Sequence, residues 1–224
     1  MKKELQQRLK AIVERNSRVS LSRKRLIKKF ANNLGLIYFG TVDQHTDDHR
    51  VVRGFSTSST HKDDSYTVGE FQDYAVTLVD RFDVHHESDG TIEKHRWLIA
   101  EIDLVIAKDI PHLFLLPTHQ SQIHYHKLFQ AFAKLEPITE VSGYSPDFLS
   151  RYTPYSPIAT SIEVEKYMTF EVTRTIAAHF WPYAVEIFEG SVYVYDAEQA
   201  LTTHALEQVV KNGVWLAQVI DSIN

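Results

Sequence analysis

Cysteine is absent from all 224 residues. Without thiols the chain has no disulfide framework, no thiolate nucleophile and no cysteine-ligated zinc, so its stability must come from burial. Glycine and proline are sparse, with 8 and 7 copies, too few for a low-complexity chain. No apolar run approaches the roughly 18 residues that a membrane-crossing helix needs. The opening Met1-Lys2-Lys3-Glu4-Leu5-Gln6-Gln7-Arg8 puts charges and glutamines where a signal peptide would carry its apolar core. The expected location is therefore cytoplasmic, free or peripheral to a membrane. Catalytic signatures are missing too: there is no Gly-x-Ser-x-Gly elbow, no Gly-rich phosphate loop and no His-Glu-x-x-His pair. These absences exclude the motif-bearing enzyme families, and no cofactor is implied. They leave open an enzyme whose residues are dispersed.

What is present suits a folded chain. Hydrophobic residues make up 43% and aromatics 12%, ample for a packed core, and the length fits one large domain or a domain with an extension. The net charge of −5 conceals a strong asymmetry. Residues 1–34 hold eleven basic side chains against Glu4 and Glu14, a net +9, while the rest holds thirteen basic and twenty-seven acidic, a net −14. A basic arm on an acidic body is an electrostatic device.

Leu5, Leu9, Ile12 and Val13 fall on one helical stripe ringed by cations. A second helix, capped by Ser20 or Ser22, carries Leu26, Ile27, Phe30 and Leu34 and stops at Asn33 with Gly35. The period then changes. Leu36 to Phe39 is a short strand, and Thr41 to Ser65 reads as loop around one weak strand near Val51 to Phe55. Tyr74 to Val84 and Leu98 to Ile106 alternate with period two through an Asp89-Gly90 turn, predicting a long hairpin with one wet face. Ile110 to Pro117 is a short buried strand, Ile123 to Leu135 a helix, and a polar connection carries Tyr144, Tyr152 and Tyr155. A helix from Ile158 to Phe180 follows, then a hairpin turning at Glu189-Gly190, then a closing helix from Leu201 to Ile220. Strands that pair with sequence neighbours indicate an α+β fold: a mainly antiparallel sheet of hairpins, with basic N-terminal helices and a C-terminal helix packed on it. Residues 1–22 form the basic amphipathic arm and 23–224 a single α+β domain.

Phe30-Ala31-Asn32-Asn33-Leu34-Gly35-Leu36-Ile37-Tyr38, Val52-Arg53-Gly54-Phe55, the hairpin, Ile110 to Pro117, and Phe188 to Tyr195 occur in an order that resembles an uncharacterised bacterial α+β domain family. In that family a helix with an Asn-Gly-like stop precedes a β-rich domain, often after membrane-spanning helices. The resemblance spans residues 26 to about 222, and its motifs are structural. It implies no activity and no catalytic residue.

Three clusters carry candidate chemistry. Asp43, His45, Asp47, Asp48 and His49 offer carboxylate and imidazole donors for a divalent metal, the set a metal-dependent hydrolase would use; a solvated loop is the plainer account. His119, His124 and His126 converge only on a strand, and the surrounding pattern is helical. Glu101 and Asp103 share a strand face, while Asp80 interrupts an apolar one and must find a partner or shift its pKa; a salt bridge, with Arg81's neighbours or Arg96, or exposure near a sheet edge is the plainer account. The arm is more telling. Lys2, Lys3, Arg8, Lys10, Arg15, Arg18, Arg23, Lys24 and Arg25 suit an anionic partner, protein or membrane surface. Nucleic acid and a homo-oligomer stay open, although aromatics for base stacking are absent before Phe30. The expected function is thus a non-catalytic binding or adaptor domain, with metal-dependent hydrolase and nucleic-acid accessory protein as alternatives.

Overall fold

A computed structural model describes residues 21–41, 52–55, 61–86, 90–106, 110–120, 134–139, 142–197 and 201–223. Helix α1 covers residues 21–34 and buries Ile27, Phe30 and Ala31. Gly35 ends it at φ +75°, with the Leu36 amide donating to the Ala31 carbonyl at 2.9 Å. A side chain at that φ would be strained, so the Asn-Gly stop is met as expected. Ser22, one of the two expected caps, lies within the helix.

Strands β1 (Ile37–Gly40), β2 (His61–Phe71), β3 (Tyr74–His86) and β4 (Ile92–Asp103) form an antiparallel meander. After them come β5 (Leu113–Pro117), β6 (Glu136–Pro137), α2 (Pro146–Arg151), β7 (Tyr152–Ser156), α3 (Ser161–Val164), α4 (Phe170–His179), β8 (Ala184–Phe188), β9 (Ser191–Asp196) and α5 (Thr203–Ser222). Among the described residues the nine strands make one sheet in the order β1-β2-β3-β4-β9-β8-β5-β7-β6, and every pairing is antiparallel. This is the expected α+β fold.

Both faces of the sheet are covered. On one, α1, α2, α4 and α5 pack against Val76, Leu78, Leu98, Ala100, Val185 and Val194. Here α5 comes close: a methyl on Gly213 would collide with the Ile102 side chain. On the other face, Val79, Trp97, Ile99, Phe114, Tyr193 and Tyr195 form a second core with Val52 and Leu135. The expected wet face of the hairpin is therefore buried along Val79, Arg81 and Asp83, and exposed at Ala75 and Asp103. Its alternation was read correctly, but Arg81, Asp83 and Glu101 look like solvent-facing residues in sequence and are in fact inside, each with a polar partner.

Three local expectations are corrected. His61 to Ser65 is strand, paired with β3, and reads as loop because its inward residues are the polar Asp63 and Ser65 rather than aliphatic ones; Val52 to Phe55 is not strand but an irregular segment. The expected 158–180 helix is broken into a 3₁₀ turn (Ile158–Thr160), α3 and α4, with Thr169 capping α4 through the Val172 amide at 3.4 Å. Tyr152 and Tyr155, placed in a connection, belong to β7. Most of the 123–135 helix falls outside the described residues.

Candidate functional site

Lys2, Lys3, Arg8, Lys10, Arg15 and Arg18, together with Asp43, His45, Asp47, Asp48 and His49, lie outside the described residues. So do His124 and His126, while His119 packs its ring against Trp181 at 4.7 Å. Among the described residues no three His, Asp or Glu side chains are grouped to hold a metal.

Arg23 is corrected from a partner-binding residue to an internal one. It is 2% exposed, and its Nε lies 3.2 Å from both Asp80 oxygens, with Nη2 at 3.0 Å. Arg96 grips the same carboxylate through Nη2 at 2.7 Å and Nε at 3.0 Å. Asp80 sits on the apolar face, where a lone carboxylate would be costly, and two guanidiniums compensate it. That clamp fastens α1 to β3. Lys24 is partly engaged as well, at 3.1 Å from Asp64, which also accepts from Thr41 at 2.7 Å. Partial burial works to raise the Asp64 pKa, but the hydrogen bonds from Thr41 and Lys24 and the lysine charges hold it below the usual carboxylate range. Arg25 is exposed, and so are Lys28 and Lys29. With Leu21, 54% exposed, they follow one stripe on the outer side of α1. The inner side locks the helix and the outer side offers charge.

The sheet's second face holds a polar belt that the sequence reading did not assemble. Arg81, fully buried, donates to Asp63 Oδ1 and Oδ2, both at 2.8 Å, and to the carbonyls of Val52 at 2.7 Å and Gly54 at 3.0 Å. Trp97 Nε1 donates to Asp83 at 3.2 Å. Tyr195 donates to Glu186, which also accepts from the Phe55 amide at 2.9 Å and contacts His112 Nε2 at 2.7 Å. Tyr193 donates to Glu101 at 2.9 Å. Burial pushes Glu101 up to about 7; the Tyr193 hydroxyl opposes this and Asp103 adds to it. Burial beside Glu186 raises Tyr195 well above its ordinary value.

Chemically, this belt is a clasp. Its donors and acceptors are matched within the protein, and together they hold residues 52–55 over the sheet. Glu101 and Asp103, considered as an acid and base pair, share their face as expected; Glu101 is engaged by Tyr193, and Asp103 accepts from Ser191 at 3.0 Å. The signal for the belt was present in the alternation of β3, since Arg81 and Asp83 fall in phase with buried Val79. What sequence alone could not supply was Asp63, which lies in a stretch that reads as loop.

Among the described residues no helix is long and apolar enough to cross a membrane. No family model matches the chain, and no curated protein matches it. A solved structure of similar fold is the mycobacterial trehalose monomycolate transport factor A, with a TM-score of 0.57, 10% identity, and coverage of 89% of this chain and 93% of that one.

Proposed function

We propose that this chain is a non-catalytic binding domain that docks on an anionic surface through its basic N-terminal helices. One observation carries the reading: α1 is clamped to the sheet by Arg23 and Asp80, while Arg25 and Lys29 are exposed on its outer side with Lys28, whose ammonium lies 5.8 Å from the Tyr38 ring. A rigidly mounted cationic stripe holds its charges in register with a partner without ordering costs at contact. The six further cations of residues 1–20 continue the same sign along the chain. The matched clasp on the second face supports structure over chemistry there. The sequence resembles a family in which the domain often follows membrane-spanning helices, and although no described helix here is of that kind, the resemblance supports an anionic bilayer as the surface. The neighbour of like fold is named a transport factor, which accords with binding rather than turnover.

Vesicle pelleting tests this. The full chain should sediment with vesicles containing anionic lipid and stay in solution with neutral ones. Each cation near an anionic bilayer contributes about 1 kcal/mol, so Arg25→Glu/Lys28→Glu/Lys29→Glu should weaken partitioning by more than about tenfold. Equal sedimentation with both lipids would defeat the proposal.

A further inference from the structure

At the β6 edge of the sheet an open groove of about 480 Å³ lies between Glu136, Ile138, Ile158, Ile162 and Glu165. Ile158 and Ile162 are 76% and 81% exposed, the most exposed large apolar side chains among the described residues. Ile158 lies on the 3₁₀ turn and Ile162 on α3, and both line the same opening. Two solvent-facing isoleucines beside a concave wall are an apolar docking surface in want of a cover. The charged residues that line it are both acidic, while Lys134 and Lys166 are exposed close to them in the chain. Glu136 and Glu165 line it, Glu163 is exposed nearby on α3, and none of its described lining residues is cationic.

The occupant that fits is an amphipathic helix with an aliphatic stripe and basic flanks. The sequence of residues 1–20 carries that pattern. Leu5, Leu9, Ile12 and Val13 make the stripe, and Lys2, Lys3, Arg8, Lys10, Arg15 and Arg18 stand around it against Glu4 and Glu14.

Geometry favours a second copy over the same chain. Arg23 fixes the start of α1 on β3, and β6 lies six strands further along the sheet, about 29 Å at ~4.8 Å per step. Val13 and Leu21 are eight residue steps apart, about 27 Å when pulled taut, so seating the stripe in the chain's own groove leaves the connection no slack. We propose that the N-terminal helix of one copy docks its Leu5/Leu9/Ile12/Val13 stripe into the Ile158/Ile162 groove of another. Reciprocal exchange closes a two-fold dimer. The inference goes beyond membrane docking, because it uses the apolar stripe of residues 5–13 and leaves the outer side of α1 available.

The cysteine-free sequence makes the test direct. Full-length Ile12→Cys, Ile162→Cys and Lys211→Cys chains are prepared; Ile162 and Lys211 are both exposed, so folding is preserved. Equimolar pairs are mixed and treated with a short bismaleimide. Ile12→Cys with Ile162→Cys should cross-link at least about tenfold faster than Ile12→Cys with Lys211→Cys, and raising salt from about 0.1 M to about 0.5 M should slow it. Adding Glu136→Lys and Glu165→Lys to the Ile162→Cys chain should slow it as well. Equal rates for the two pairs would overturn the proposal. A doubly substituted Ile12→Cys/Ile162→Cys chain that links internally, at a rate independent of dilution, would overturn the second-copy assignment. Vesicle pelleting reads the lipid surface separately, so failure of one proposal is distinguishable from failure of the other.

Discussion

Arg81 on β3 and Asp63 on β2 meet as parallel forks, with both N–O distances at 2.8 Å and both side chains out of reach of solvent. Burial alone would depress the guanidinium pKa; the hydrogen bonds and charge of Asp63, with Asp83 behind it, raise it instead. The pair remains ionic, and its outer nitrogens hold the Val52 and Gly54 carbonyls.

Breaking one side of such a pair leaves an uncompensated buried charge, which costs about 3–5 kcal/mol. Asp63→Asn should therefore lower stability by that amount in urea unfolding. Arg81→Lys should lose a similar amount, because a point charge cannot reproduce the fork or reach both carbonyls. A loss below about 1 kcal/mol in both variants would mean that the pair is solvated in the working protein.

Gly54 sits against the same network. A methyl there would strike the Tyr195 hydroxyl and lie 2.8 Å from Tyr193 Cδ1. Neither ring is free to retreat: Tyr195 is tied to Glu186 and accepts from the Phe55 amide at 2.6 Å, and Tyr193 is tied to Glu101. Gly54→Ala should cost about 1–3 kcal/mol by overpacking. In a Tyr195→Phe background, where the obstructing oxygen is gone, the same substitution should cost at least about 0.5 kcal/mol less. Strict additivity of the two changes would show that the clash is relieved elsewhere.

The hairpins, the closing helix and the Asn-Gly stop were legible because each rests on a local signal: alternation across Tyr74 to Val84, a turn at Glu189-Gly190, or a helical stripe from Leu206 to Ile220. Asp80 was also legible. A carboxylate in phase with Val76 and Leu78 has to find a partner, shift its pKa or stand at an exposed edge, and Arg96, one of the partners considered, stands nearly opposite on β4, where Asp80 pairs with Leu98 and Phe82 with Arg96. Arg23 was not legible as its second partner, being fifty-seven positions away in a run of similar cations. The second core escaped for a related reason. Periodicity marks two faces of a strand, and residues such as Arg81, Asp83 and Glu101 imply water unless their distant partners are known. The stretch 61–65 failed as a strand because its buried residues are polar.

The Asp80 clamp makes a prediction about α1. Arg23 is 2% exposed and Arg96 21%, so the former is the more fully desolvated partner. Arg23→Met should cost about 2–4 kcal/mol and Arg96→Met about 1 kcal/mol, the less buried contact being better screened. The first variant should also speed amide hydrogen exchange along residues 24–34, since it removes the bond that ties the helix to β3. Unchanged protection of α1 would show that Ile27 and Phe30 hold it unaided.

Glu101 gives the chain a pH dependence of defined sign. It is 6% exposed, and burial pushes its carboxyl up from an ordinary 4.5 to about 7. Between those values the folded chain binds a proton that the unfolded chain releases. Stability contributed by the protonated group is thus fully present below about pH 4.5 and is lost as pH rises through about 7. The shift corresponds to about 3 kcal/mol. Glu101→Gln keeps an acceptor for the Tyr193 hydroxyl and removes the titration. Relative to the parent, the variant should gain up to that amount in urea unfolding between about pH 5 and about pH 8, with the difference smallest at the acidic end. Other buried acids of the belt act on both proteins alike, so the comparison isolates this one carboxyl. A parent-to-variant difference that stays flat across the range would mean that Glu101 is already ionised at the acidic end, held so by Arg53 and Arg81, whose charges pull its pKa down.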